Sequence, residues 1–246
     1  MSRRSIPSLL VLLYLGCGSA GSQVTLSTAN PEDSAGSSVS HQGLDVSSFQ
    51  GQVDWEKVAA SGKTFVYIKA TEGIDLADST FDANWQGASE AGLVRGAYHF
   101  YQPEDDPKTQ AEFFISKVQL EAGDLAPALD VEINKGKTVA ELQADVKVWL
   151  DAVSEHYGVQ PIVYTNVNFG NEFFASGFEN YPLWIAHYGD SDPGSVGSWS
   201  QWDFWQYSQS GRVDGIEVDV DSDRFQSSEN RWQSLLVPGA ETATDP

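Results

Sequence analysis

From Gly43 onward the chain alternates short apolar runs with amphipathic stretches, and glycine or polar residues separate them. Strand-like runs fall at Gly43–Val46, Phe65–Ala70, Val94–Tyr101, Ala126–Val131 and Pro161–Thr165. Between them the apolar positions recur every three or four residues, which is helical spacing. The first helix is expected from Asp54 to Gly62 and the second from about Ser79 to Gly92. The third opens with Asp106 as cap and Pro107 in its first turn and runs to near Gly123. The fourth opens with Thr138-x-x-Glu141, a capping box, carries Val139, Leu142, Val146, Trp149 and Val153 on one face, and stops before Gly158.

Strand–helix alternation implies parallel strands joined by right-handed crossovers. After Thr165 the phrasing changes. A short fifth helix is expected near Asn168–Ala175, and then three strand-like runs follow, Pro182–His187, Phe204–Ser208 and Ile216–Val220. The gaps between these last runs are rich in Gly, Ser and Asp and leave little room for helices. Eight strands with helices after the first five suit an α/β fold of the modified TIM-barrel type, (β/α)5(β)3. An open doubly wound sheet is the alternative. The first strand is not followed by Gly-x-Gly-x-x-Gly, which weakens a nucleotide-binding reading.

The ends of the chain follow a different pattern. Residues 1–16 combine a basic head, Arg3 and Arg4, with a mostly apolar stretch from Ile6 to Leu15, the layout of an export signal. The single cysteine stands where that stretch ends, in Tyr14-Leu-Gly-Cys17-Gly18. This resembles a bacterial lipoprotein signal, which implies lipidation at Cys17 and an exported, membrane-anchored protein facing the periplasm or cell surface. Residues 17–42 are rich in Ser, Gly, Thr and Asn and read as a flexible linker. Residues 43–235 then form one domain and 236–246 a tail.

Composition narrows the chemistry. The 246 residues are 41% hydrophobic and 12% aromatic, enough to fill a core, and they carry 14 Lys and Arg against 35 Asp and Glu, a net charge of −21. Such an acidic chain lacks the basic footprint that nucleic acids require. One cysteine excludes an intramolecular disulfide framework. The histidines (41, 99, 156 and 187) have no metal-ligand spacing, and the start of a calcium loop in Asp219-x-Asp221-x-Asp223 is not completed, since Arg224 replaces the required glycine. No cofactor and no metal are expected.

In barrels of this type chemistry sits at the C-terminal ends of the strands. There the expected strands carry acids within apolar runs: Asp45 on the first, Asp130 and Glu132 on the fourth, and Asp219 and Asp221 on the eighth. Asp130 and Glu132 lie two apart, so both face one side of the strand, with Cα atoms roughly 6.6–6.8 Å apart. Two carboxyl groups on one concave face repel, so one tends to keep its proton; hydrolysis of a glycosidic bond needs both a proton donor and an anion. Tyr98, His99, Phe100, Tyr164, Trp184, Tyr188, Trp205 and Tyr207 gather on the same strands. Such a rim suits the stacking of sugar rings, although about half should be structural.

Seven ordered segments now support a family resemblance: Gly43-Leu-Asp-Val-Ser-Ser-Phe-Gln50, Val66-Tyr-Ile-Lys-Ala-Thr-Glu-Gly73, Gly96-Ala-Tyr-His-Phe100, Ala128-Leu-Asp-Val-Glu132, Pro161-Ile-Val-Tyr-Thr165, Leu183-Trp-Ile-Ala-His-Tyr188 and Phe204-Trp-Gln-Tyr-Ser208. The region 43–235 resembles glycoside hydrolase family 25, the Chalaropsis-type lysozymes. The resemblance implies an N-acetylmuramidase that cleaves the β-1,4 bond between N-acetylmuramic acid and N-acetylglucosamine. It implies Glu132 as general acid and Asp130 as the residue that orients the substrate's acetamido group, with retention of configuration. It further implies catalytic roles for Asp45 and for Asp221, the latter chosen over Asp219 because Val220-Asp-Ser-Asp-Arg-Phe225 fits the family pattern. Tyr98, Tyr164, Trp184, Gln206 and Tyr67 are implied as substrate-binding residues. The partners expected are peptidoglycan glycan strands and, through Cys17, a membrane, with the protein a monomer. The rival readings are a barrel that binds glycans without cleaving them and a chitinase-like hydrolase.

Overall fold

The computed structural model describes residues 38–239. The expected export signal, Cys17, the linker through residue 37 and the tail from residue 240 lie outside the described residues.

Nine strands occur among the described residues, β1 (Ser38–Val46), β2 (Phe65–Glu72), β3 (Leu76–Ala77), β4 (Val94–Phe100), β5 (Ala128–Asp130), β6 (Ile162–Asn166), β7 (Leu183–Ala186), β8 (Phe204–Gly211) and β9 (Val220–Ser228). Eight of them close into a barrel in the order β1-β9-β8-β7-β6-β5-β4-β2, with β2 pairing back onto β1, while the two-residue β3 hangs on the edge of β2. Helices α1 (Trp55–Ala60), α2 (Phe81–Glu90), α3 (Pro107–Lys117), α4 (Val139–Tyr157) and α5 (Val167–Phe173) follow β1, β2, β4, β5 and β6, and none intervenes among β7, β8 and β9. This is the (β/α)5(β)3 barrel that the pattern predicts. A sixth helix, α6 (Glu229–Ser234), follows β9 and was not expected.

The helices start where their caps dictate. Asp54 accepts from the Lys57 N–H, Asp106 from Thr109 and Asn166 from Phe169, and the box of Thr138 and Glu141 closes in both directions. Helix α4 stops at Gly158, which takes a left-handed φ of 68°. Helix α3 is shorter than expected. Its cap residue Val118 is extended and buried, and its carbonyl accepts from the Tyr157 hydroxyl at 2.8 Å rather than continuing the helix.

Two other expectations need correction. Residues 38–42, read as the end of a linker, are the first half of β1 and pair in register with Arg224–Ser228. The last strand is not Ile216–Val220 but Val220–Ser228, and it runs antiparallel to both β8 and β1. The period-two pattern of Ile216–Val220 marks no strand before Val220, because residues 216–219 are a bent loop. The chain there is tied to the loop after β1, through Gly215 and Asp219, and enters β9 at Val220.

Strand alternation sorts the side chains into two layers. Leu44, Val46, Val66, Ile68, Leu129 and Val131 point outward against the helices, among the buried residues of the larger core. Phe65, Tyr67, Tyr98, Tyr164, Trp184, Phe204 and Phe225 point inward and fill the barrel. Glycines make room for these rings. A Cβ on Gly43 would stand 2.4 Å from the Phe65 ring, and one on Gly96 would stand 2.4 Å from Tyr67. At the N-terminal end of the barrel Trp232 of α6 packs on Phe225 and stacks on His41 at 4.0 Å, closing it. The other end is open, and the acids stand there.

Candidate active site

The open end holds a cleft of about 210 Å³. Its walls are built by inward positions at the top of the strands. Asp45 comes from β1, Tyr98 and Phe100 from β4, Asp130 from β5, and Glu132 from two residues beyond β5. Tyr164 comes from β6, Trp184 from β7, Gln206 from β8 and Asp221 from β9. Strand register brings these together: Phe100 is level with Asp130, Asp130 with Tyr164, and Tyr164 with Trp184.

Asp45 and Asp221 are cross-strand partners on antiparallel strands. Asp221 therefore reaches the rim from the N-terminal end of its strand, whereas Asp45, Asp130 and Glu132 reach it from C-terminal ends. Asp221 lines the cleft, at the opposite strand end from the one expected. Asp219 lies outside, ion-paired with Arg212 at 2.7 Å on the surface.

Trp184 forms the floor. Its ring stacks on Tyr67 at 4.6 Å and meets the edges of Tyr164 at 4.7 Å and Tyr98 at 6.2 Å. Tyr67 itself does not line the cleft. It lies one layer deeper, fully buried, and its hydroxyl donates to the Ala126 carbonyl at 3.0 Å, so it supports Trp184 instead of facing a ligand. Phe100 lines the wall, but His99 between it and Tyr98 points outward. It is hydrogen-bonded to Thr71 and Gln110 and stacked on Trp149. Trp205 likewise faces outward, with the Arg224 guanidinium 3.8 Å above its ring.

Gln206 is a hub. Its Oε1 accepts from the hydroxyls of Tyr164 at 2.9 Å and Tyr188 at 3.1 Å, and its Nε2 donates to Asp45 Oδ2 at 2.8 Å. Two phenols on one side and a carboxylate on the other fix the amide's orientation.

Two further residues belong to the site. Asn166, the cap of α5, hydrogen-bonds to Glu132. Asp223, one strand step below Asp221, accepts from the Trp184 indole at 2.8 Å and contacts Asp45. Asp223 is nearly fully buried, and its place two residues after Asp221 was the sequence signal that it shares the inward face.

The electrostatics follow from burial. Asp45 and Asp130 are both pushed well above the usual carboxylate range, first by loss of water and then by neighbouring acids: Asp223 and Asp221 for Asp45, Glu132 for Asp130. Burial raises Glu132 as well, against the pull of its hydrogen bonds to Asn166 and Asp130. Asp221 is pushed up to about 6 and Asp223 to about 7, in each case mainly by burial. Among the described residues no donor reaches Asp130 Oδ1 or Asp223 Oδ2. Asp130 instead contacts Glu132 and Asp223 contacts Asp45. Two carboxyl groups hydrogen-bond only if one keeps its proton. The site therefore holds protons near neutral pH and can give one up.

The sequence profile described as Glycosyl hydrolases family 25 matches residues 44–216. The chain is 38% identical over 199 residues to the uncharacterized protein YegX of Escherichia coli strain K12, covering 79% of this chain and 72% of that protein. It is 35% identical over 221 residues to Lysozyme M1 of Streptomyces globisporus, covering 85% and 74%. The crystal structure of the bacterial lysozyme from Streptomyces coelicolor superposes with a TM-score of 0.74 at 33% identity, covering 79% of this chain and 96% of that one.

Proposed function

The chain belongs to glycoside hydrolase family 25 and is a glycoside hydrolase, and from that premise we propose that it is a peptidoglycan hydrolase, an N-acetylmuramidase acting through Glu132 and Asp130. The observation that carries the reading is that one cleft at the barrel mouth gathers Asp45, Asp130, Glu132 and Asp221 over an aromatic floor.

Glu132 is the less buried of the pair and faces the opening, where it donates a proton to the glycosidic oxygen. Asp130 accepts the N–H of the acetamido group on the sugar being cleaved. In the free protein, burial and the adjacent acid favour a proton on Asp130. An N–H donor arriving from the substrate stabilises the Asp130 anion instead. The shared proton then resides on Glu132, where the leaving oxygen needs it. As the glycosidic bond breaks, the acetamido carbonyl oxygen closes on the anomeric carbon. Glu132, now a carboxylate, takes a proton from the water that reopens the ring, and configuration is retained. Asp45 and Asp221 form the opposite wall and accept hydrogen bonds from the sugar hydroxyls. Trp184, Tyr98 and Tyr164 pack on its apolar face, with Gln206 holding Tyr164 and Asp45 in place.

The test is digestion of isolated peptidoglycan. New N-acetylmuramic acid reducing ends, with the retained anomer formed first in NMR, support the account. N-acetylglucosamine reducing ends, or an inverted first anomer, refute it.

We further propose that the protein is exported and anchored through a lipid at Cys17, which would hold the catalytic domain, as a monomer, near the wall it cleaves. Labelling of cells with a clickable fatty acid should mark the chain, and a Cys17→Ser variant should lose the mark. Equal labelling of both would overturn the anchor.

A further inference from the structure

The catalytic cleft is small beside the polymer it is proposed to cut, and two larger depressions flank it on the same face. One, of about 570 Å³, lies between the loop after β5 and helix α5, and Glu132 lines it as well as the cleft. The other, of about 730 Å³, lies between the loop after β1 and the loop joining β8 to β9, with Phe49, Gln52, Lys57, Glu217 and Val218 among its walls. In barrel order β9 and β5 are four strands apart in either direction, so these depressions lie across a diameter of the mouth with the cleft between them.

The Phe49 groove is built rather than incidental. Phe49 is 72% exposed, the most exposed large apolar side chain among the described residues. It nevertheless stands on a short 3-10 turn (Ser48–Gln50) that is fixed at every step. Ser47 and Gln50 close a capping box, the Ser48 N–H donates to Asp78 Oδ2 at 2.8 Å, and Gln50 Nε2 donates to the Asp219 carbonyl at 3.2 Å. The two walls are also tied to each other, by the Asp54 N–H donating to the Gly215 carbonyl at 2.9 Å. Gly215 has a φ of 100°, and a Cβ there would stand 2.4 Å from the Asp54 carbonyl oxygen, so only glycine permits that approach. A rigid, exposed aromatic ring beside hydrogen-bonding side chains matches a sugar ring, which has an apolar C–H face and a polar edge. Lys57 is already paired with Asp54 at 2.7 Å, and Glu217 adds negative charge, so the groove favours an uncharged ligand over an anionic one.

We propose that the Phe49 groove is a second saccharide-binding site, which holds an N-acetylglucosamine unit, the uncharged sugar of the glycan strand, on the non-leaving side of the scissile bond. The polarity comes from Glu132. The group it protonates departs on its own side, into the depression that Glu132 lines, so the strand's other arm crosses to Phe49. This inference rests on the glycan-cleaving reading above.

The experiment compares the full chain with its Phe49→Ala variant on two substrates, long glycan strands freed of stem peptides and a tetrasaccharide of alternating N-acetylmuramic acid and N-acetylglucosamine. On long strands the variant should lose roughly tenfold in kcat/KM, through KM, as expected for one well-placed aromatic anchor. On the tetrasaccharide it should match the parent, and Phe49→Trp should restore the long-strand rate. Equal loss on both substrates, or no loss on long strands, overturns the proposal. Should the parent release no reducing ends at all, the glycosidase reading fails separately. Co-sedimentation with the long strands then decides the groove: weaker binding by the variant supports it and unchanged binding overturns it.

Discussion

The Trp184 indole N–H donates to Asp223 Oδ1 at 2.8 Å, so an acid that lines no part of the cleft holds the cleft's floor. Both side chains are almost fully buried. Replacing Asp223 by Ala leaves the indole N–H unpaired in the interior, which should cost about 1–3 kcal/mol in urea unfolding. Asp223→Asn keeps an acceptor for the indole and should lose less. Equal stability of the Ala variant and the parent would show that the bond holds nothing.

Gln206 satisfies two phenols and one carboxylate at once. Gln206→Leu removes all three contacts with little change in bulk. With hydrogen bonds to charged groups worth about 1.5–3 kcal/mol, kcat/KM on peptidoglycan should fall roughly ten- to a hundredfold. Circular dichroism should show an unchanged fold. Parental kinetics in this variant would contradict the hub.

The raised acids make stability depend on pH. Asp221 at about 6 and Asp223 at about 7 hold protons that their unfolded forms, at about 3.8, have lost. Their contribution is complete below the unfolded value and is lost as pH rises through 6 to 7. Buried His99, held down to about 4 from 6.5, acts in the opposite sense, and its contribution is lost as pH falls from 6.5 through 4. Asp45 and Asp130 are raised as well and act with these acids, while His41, lowered by burial, acts with His99. Between pH 8 and 6.5 the raised acids outweigh the two histidines, so acidification should raise Tm. A Tm that falls over the same window would contradict the protonated acid cluster.

The first half of β1 is part of the barrel. A chain starting at Gln42 loses the pairing of Ser38–His41 with Phe225–Ser228 and the stacking of His41 on Trp232. It should melt several degrees below a chain starting at Ser38, by roughly 4 °C per kcal/mol lost. Equal melting temperatures would return residues 38–41 to the linker.

Much of this was legible in the sequence because barrel strands announce themselves by alternation and helices by their caps. Asp45, Asp130 and Glu132 could be placed at strand ends for the same reason. Direction and depth could not. Alternation around Asp219 and Asp221 is symmetric under reversal, so the descending course of β9 was invisible. Tyr67 and Tyr98 share an inward face, yet one lies a layer below the other, and no periodicity records height within a barrel. Asp223 read as the third acid of an uncompleted calcium loop, although its spacing from Asp221 already gave it the same face. His99 sat among cleft residues in sequence but on the opposite face of its strand.

The central claim is that Glu132 supplies the proton to the leaving oxygen. The most direct measurement compares Glu132→Gln with the parent on peptidoglycan and on an aryl glycoside whose leaving group needs no proton. The account predicts a loss of roughly a hundredfold or more on peptidoglycan, the usual worth of a general acid, with the phenol of the aryl glycoside released in the first turnover at a rate close to the parent's, because Glu132 acts there only afterwards, as the base for ring reopening. An equal loss on both substrates would contradict it and give Glu132 a role other than proton donor.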